Sequence, residues 1–227
     1  MDEKNKKPVR IATYSMALLL TLIIIIVITF VKTAPTAESV RAEKLTKKDQ
    51  LRLETFLSAY DVKPRVQRKL IRKINSGKTM DSLQDVAKPV KITMDNTAKK
   101  QQQVETFADG SIAVTTVTLN DTVTKQNTTS YKNTKVAWNT GIARAEFFAD
   151  FTINGDGSDD ITNVDHYTIE SMIGTYQSDT LQLKKKRESL DGKAEATLNF
   201  KIVSTRSESK HWVKLVVGED SFLSTHN

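Results

Sequence analysis

The sequence contains no cysteine. That absence excludes a lipid-modified N-terminal cysteine, a disulfide framework, a thiolate zinc site and a cysteine nucleophile. Histidine is nearly as scarce, with His166, His211 and His226 the only three. They form no His-x-x-x-His or His-Glu-x-x-His metal pair, and no serine sits in a Gly-x-Ser-x-Gly elbow. No internal repeat is visible. A domain without disulfides must rest on its apolar core, and 227 residues are enough to bury one.

One long apolar run is present. Residues 11–31 (IATYSMALLLTLIIIIVITFV) carry no charge. At 1.5 Å rise per residue they span roughly 30 Å of hydrocarbon, and they lack the polar stripe of a buried core helix. Lys4, Lys6, Lys7 and Arg10 precede the run, which favours a cytoplasmic N-terminus at 1–10. The run is longer than a signal-peptide core, and only Ala37-x-Ser39 resembles a cleavage site. The expectation is a retained, single-pass transmembrane anchor in the cell membrane with an extracellular C-terminal domain. A cleaved signal peptide and a secreted domain form the alternative.

The net charge of +7 is uneven. Residues 32–100 hold 17 Lys/Arg against 8 Asp/Glu, a net of +9, whereas residues 101–227 hold 13 against 17, a net of −4. An exported basic zone next to a bilayer favours anionic lipid headgroups or wall polymers over nucleic acid.

Residues 32–45 read as a polar linker containing Pro35. A helical hairpin is expected over 46–86. Thr46 and Asp49 approximate a capping box, and Leu53, Phe56, Leu57 and Tyr60 mark one apolar face. Pro64 suits the first turn of a second helix, with Val66, Leu70 and Ile74 inward and Gly77 at its end. Arg65, Arg68, Lys69, Arg72 and Lys73 would form a basic outer face, a candidate contact for an anionic surface.

Near Val90 the period changes from 3.6 to 2. In ARAEFFADFTI, Ala143, Ala145, Phe147, Ala149, Phe151 and Ile153 point one way, and Arg144, Glu146 and Asp150 point the other. KAEATLNFKI turns Ala194, Ala196, Leu198, Phe200 and Ile202 inward. SIAVTTVTL and HWVKLVV are further β-branched runs. Asp109-Gly110, Asn154-Gly155 and Asp191-Gly192 read as hairpin turns. The expected fold is mainly β: an antiparallel β-sandwich or barrel-like ectodomain at 88–227, behind the helical hairpin and the membrane helix.

The stretches KLIRKINSGKTMDS (69–82), FADGSIAVTT (107–116), WNTGIARAEFFADFTI (138–153) and IGTY (173–176) occur in that order. Together they resemble a group of uncharacterised secreted or membrane-anchored β-rich envelope proteins of Gram-positive bacteria. The likeness spans residues 60–220. It implies a cell-envelope setting and a β-domain, and it brings no catalytic residues.

The densest acidic stretch is NGDGSDDITNVD. Counted as a calcium loop, it would offer Asn154, Asp156, Ser158, Asp160, Thr162 and Asp165. Against that count, the sixth position is Asp159 where glycine belongs, and strands flank it where helices belong. A hairpin with a polar tip accounts for it equally. Asp156, Asp159, Asp160 and Glu170 are the carboxylates available to a glycosidase-like pair, which needs two groups about 5–9.5 Å apart. Trp138, Trp212, Tyr131, Tyr167 and Tyr176 are candidates for an aromatic platform, with a core role favoured for Trp138. The three histidines read as surface or partly buried polar residues, with fraying expected at His226. No cofactor is expected.

These features point to a non-catalytic, exported cell-envelope protein whose anchored β-domain binds an envelope component or a protein partner. An accessory subunit of a membrane secretion or transport assembly is the second reading, and a carboxylate-dependent hydrolase the third.

Overall fold

A computed structural model describes residues 44–205 and 207–227. The expected cytoplasmic segment (1–10), the anchor (11–31) and nearly all of the linker (32–45) lie outside them. The described elements belong to one compact unit, Arg41–Asn227. Among the described residues, no helix is long and apolar enough to cross a membrane. Among the described residues the fold is mainly β, with two antiparallel sheets and two α-helices.

Helix α1 (Lys47–Ser58) begins where Thr46 caps it. The Thr46 hydroxyl accepts the Asp49 N–H at 3.1 Å and donates to the Asp49 carboxylate at 2.5 Å. Leu53 and Leu57 are wholly buried. Helix α2 (Pro64–Asn75) starts on its proline and buries Gln67, Leu70, Ile71 and Ile74, while Val66 is only half-buried. Gly77, at φ +78°, ends it with an N–H bond to Ile74 O.

Eleven strands follow among the described residues. The larger sheet runs in the order β1 (Lys91–Thr97), β2 (Lys100–Thr106), β3 (Ile112–Thr118), β5 (Thr128–Asn139), β6 (Ala143–Asn154) and β7 (Asp160–Ser171). Strand β4 (Asp121–Lys125) pairs with the first half of β5, and β3 pairs with the second half. Residues 112–139 are therefore one long bent hairpin. The smaller sheet is β11 (Ser221–His226), β10 (Glu208–Gly218), β9 (Ala194–Val203) and β8 (Thr175–Lys185).

The alternation read in β6 and β9 places Ala143, Ala145, Phe147, Ala149 and Phe151 opposite Ala194, Ala196, Leu198 and Phe200 in one continuous core. Trp138 meets Phe200 at 5.9 Å and Phe151 meets Phe222 at 5.0 Å, so aromatic rings cross between the sheets. The sheets stay separate ladders except at one corner. There Asp160 bridges Arg187, and Ile161 N donates to Lys186 O. A register shift in β7 sits at His166, whose φ is +39°. Such a bulge inserts a residue and interrupts the alternation of faces along β7.

Two glycine turns of the large sheet receive the helices. A Cβ on Gly110 (φ +86°) would stand 2.4 Å from Val66 of α2. One on Gly141 (φ +82°) would stand 2.4 Å from Phe56 and 2.8 Å from Leu53 of α1. Leu53, Leu57, Leu70 and Ile74 accordingly share one core with the sheets. At 154–155 the tight Asn-Gly hairpin does not form. Gly155 takes no positive φ, and the connection from β6 to β7 is a longer loop.

Candidate functional site

The acidic loop between β6 and β7 does not gather its oxygens around a cation. Asp160 faces Arg187, with Nε to Oδ1 at 2.7 Å and Nη2 to Oδ2 at 2.9 Å. Asp156 accepts from the Asn127 side chain at 2.5 Å, and the Asn154 amide donates to Ser158 O at 2.7 Å. Asp165 lies further along β7, beside His166 at 3.0 Å. Among the described residues, no three His, Asp or Glu side chains are poised for a metal ion. The calcium-loop alternative Asn154, Asp156, Ser158, Asp160 and Asp165 thus has its side chains spread over separate protein partners. Its acids meet an amide, an arginine and the next residue of the same strand.

Asp159, read as a misfit in the calcium count and as a candidate for a carboxylate pair, proves to be a structural member. It is wholly buried. Its Oδ1 accepts the Asn154 N–H at 2.7 Å, and its Oδ2 accepts the Asp220 N–H at 3.1 Å. Glu188 accepts the Glu219 N–H at 2.8 Å and the Asp159 N–H at 3.3 Å. Glu219 and Asp220 form the two-residue turn from β10 to β11, at φ +57° and +54°. Left-handed backbone in residues with a Cβ is strained, and two carboxylates from elsewhere hold this turn by its N–H groups. Burial pushes the Asp159 carboxyl up, the Asn154 and Asp220 N–H bonds oppose it, and the charges of Glu188 and Asp220 add to the rise.

Of the carboxylates considered for glycoside hydrolysis, Glu170 stands apart from Asp156, Asp159 and Asp160, which lie together where β7 begins. Asp160 opens β7 and Glu170 nearly closes it, so about 30 Å of strand separates them. Glu170 instead stands 3.6 Å from Arg52 of α1 at an exposed site.

Four of the five cations expected on the outer face of α2 are there. Arg65, Arg68, Lys69 and Arg72 are exposed. Lys73 is not available to an anionic surface. Its Nζ lies 2.7 Å from Asp81 and 2.7 Å from Asp109. Asp109 in turn accepts the Asp81 N–H, the Ser111 N–H and the Ser111 hydroxyl. Burial would lower the Lys73 ammonium pKa, but the bonds to Asp109 and Asp81 outweigh it and raise the value. Burial would likewise raise Asp109, yet Lys73, Ser111 and the Asp81 N–H hold it at about 2. The DS of residues 81–82 entered above as sequence likeness, and the DG of 109–110 as likeness and as a hairpin turn. Their aspartates are the two jaws of this clasp.

A polar layer lies between the sheets. His211 and His226, read as surface or partly buried residues with fraying expected at His226, are packed inside: His211 is 4% exposed, and the His226 side chain is likewise 4% exposed. Trp138 lies 5.2 Å from His211 and 6.0 Å from His226, ring to ring. His226 Nε2 stands 3.3 Å from Glu105. Burial would raise Glu105, but the contacts from His226 and Gln103 bring it below the usual carboxylate range. Desolvation takes His211 down to about 4. β11 stays in register to its end because the Asn227 side chain continues the ladder. It accepts the Trp212 N–H and donates to Lys210 O, each at 2.7 Å.

Ser209 and His211 share a hydrogen bond of 2.8 Å between Oγ and Nε2. Ser209 also borders a cavity of about 60 Å³ floored by Ile74, Met80, Leu83, Ile142 and Ile202. The pair resembles a nucleophile and its base, but His211 Nδ1 has no partner to orient it. An imidazole held neutral down to about pH 4 is also a weak proton acceptor. The aromatic candidates divide between core and surface. Trp138 is buried, Tyr131 stacks on Phe151 at 4.7 Å, and Trp212 lies beneath Lys214. Tyr167 and Tyr176 remain 42% and 45% exposed.

No family model matches the chain, and no curated protein matches it. Among solved structures, a hypothetical protein from Listeria monocytogenes EGD-e aligns at 18% identity and a TM-score of 0.34. The alignment covers 59% of this chain and 99% of that one. At that score the likeness carries neither fold nor function to this protein.

Proposed function

We propose that this chain is a non-catalytic cell-envelope protein. A membrane anchor at 11–31 displays an extracellular β-sandwich, preceded by a helical hairpin, that binds an anionic envelope component or a protein partner. This reading joins the sequence likeness to Gram-positive envelope proteins with the basic zone that follows the anchor. The observation that carries it is the outer face of α2. Arg65, Arg68, Lys69 and Arg72 stand exposed there, and none has an ion-pair partner among the described residues. Leu70, Ile71 and Ile74 on the opposite side are fixed in the core, so the cations are presented on a rigid support. A fixed cluster of like charge raises the local concentration of anions and speeds encounter with them.

The test uses the full-length chain in nanodiscs, immobilised and exposed to envelope extracts. A component should be retained specifically, and retention should fall with salt and with the combined change Arg65→Glu, Arg68→Glu and Arg72→Glu. No specific retention from envelope extracts would overturn the reading.

A further inference from the structure

The two sheets differ in width. β11, the edge of the smaller sheet, lies against β3, while β10 lies beneath β5 and β6. β1 and most of β2 therefore extend past the smaller sheet with no described strand facing them, an overhang of about 10 Å, or two strand spacings. Register shows what this inner face carries. Glu105, which reaches His226 between the sheets, pairs with Ile92, and Gln103 pairs with Met94. Ile92 and Met94 thus share the inward face with Glu105, and Val90 continues the alternation. They are 67%, 53% and 61% exposed for Val90, Ile92 and Met94 respectively.

The crevice below them, of about 110 Å³, is lined by Met94, Gln101, Gln103, Thr115 and Ser224, with no charged side chain. The buried hydroxyls of Thr115 and Ser224 have no hydrogen-bond partner. Its floor is β11, which pairs only with β10 among the described strands. Exposed edges are ordinarily guarded by charge or proline. β8 has Lys184 and Lys185, and β1 has Lys91 and Asp95, but β11 (SFLSTH) has no such guard.

We infer that this crevice receives an extended, uncharged strand from another protein, added to the free edge of β11 beneath Ile92 and Met94. Main-chain hydrogen bonds along the edge supply the attachment, and alternate side chains meet the apolar underside of β1. A second copy of this chain does not fit. Joining two β11 edges about a two-fold axis would drive each β1–β2 overhang into the β3 and β5 of the other copy. The overhang has room for one or two strands and not for a second two-layered domain. This inference rests on the binding reading above and names the chemistry of the partner.

The test supplies the strand in a known form. The full-length chain in detergent is extended after Asn227 by an Asn-Gly turn and seven alternating threonine and valine residues. The melting midpoint should rise by about 5 °C, and β11 amides should gain protection from hydrogen exchange. The same extension with proline at its centre should do neither. Equal midpoints for the two extensions would overturn the inference. So would a parent protein already dimeric with its β11 edge protected. In the capture experiment, the filled crevice should abolish retention of a protein partner, and undiminished retention would count against the crevice. If the parent retains nothing, the binding reading fails while the thermal comparison still decides the crevice.

Discussion

Lys73 and Asp109 lie 36 residues apart in sequence, and their side chains meet at 2.7 Å. The contact ties the last turn of α2 to the turn between β2 and β3. Asp81 completes it from the short 3₁₀ turn at Asp81–Leu83. Two carboxylates and one ammonium, each no more than 24% exposed, form a joint between the helical segment and the large sheet.

Removing the cation leaves Asp81 and Asp109 facing each other without compensation. Lys73→Met should cost about 3 kcal/mol, as breaking a partly buried pair does. Arg68→Met, on the exposed face of the same helix, should stay within about 0.5 kcal/mol. Urea denaturation of both variants checks the contrast.

The same clasp sets an acid limit. The Asp109 carboxyl lies at about 2, below its ordinary 3.8. The folded state therefore gains stability from its ionised form above the unfolded value and loses it as pH falls from about 4 through about 2. The full loss is about 2 kcal/mol. Asp109→Asn should flatten this part of the stability profile while lowering stability at neutral pH.

His211 acts at higher pH. Its imidazole goes from 6.5 in the unfolded chain down to about 4 in the fold, so unfolding takes up a proton between these values. Stability is lost as pH falls from about 6.5 toward 4 and levels off below, for a total of about 3 kcal/mol. His211→Phe should remove that slope. Trp138, 5.2 Å from the ring, should report the transition by fluorescence. An unchanged slope in His211→Phe would refute the assignment.

The Glu219-Asp220 turn should be improvable. Replacing the pair with Asn-Gly relieves two left-handed residues and removes two acids from beside Asp159 and Glu188. The backbone N–H groups remain for those carboxylates, and only the exposed contact of Glu219 with Lys193 is lost. The melting midpoint should rise by about 2–4 °C. Asp159→Ala should lower it instead, because two N–H groups lose their acceptor.

Local patterns were legible wherever one face is dry. α1, α2, β6 and β9 each repeat apolar residues at the period of their geometry, because half of each element touches the core. β1 and β2 were not singled out, since KITMDNT and KQQQVET are wet on most sides and keep little alternation. The acidic loop left several readings open for a related reason. A carboxylate looks the same in sequence whether it awaits a cation, pairs with Arg187 or accepts the N–H groups of a distant turn.

The sequence by itself determined the apolar core, the helix ends and the mainly β character, because these follow from side-chain period and capping within a few residues. It also placed the long apolar run and the basic zone next to it. Tertiary structure alone decided which charges are free and which are consumed. Lys73 differs from Arg72 only by the aspartates that long-range packing brings to it. His211 and His226 are buried because their strands face Trp138, and β11 has one partner strand among the described residues because the second sheet stops two strands short. Each outcome depends on contacts between residues distant in the chain, for which local pattern holds no record.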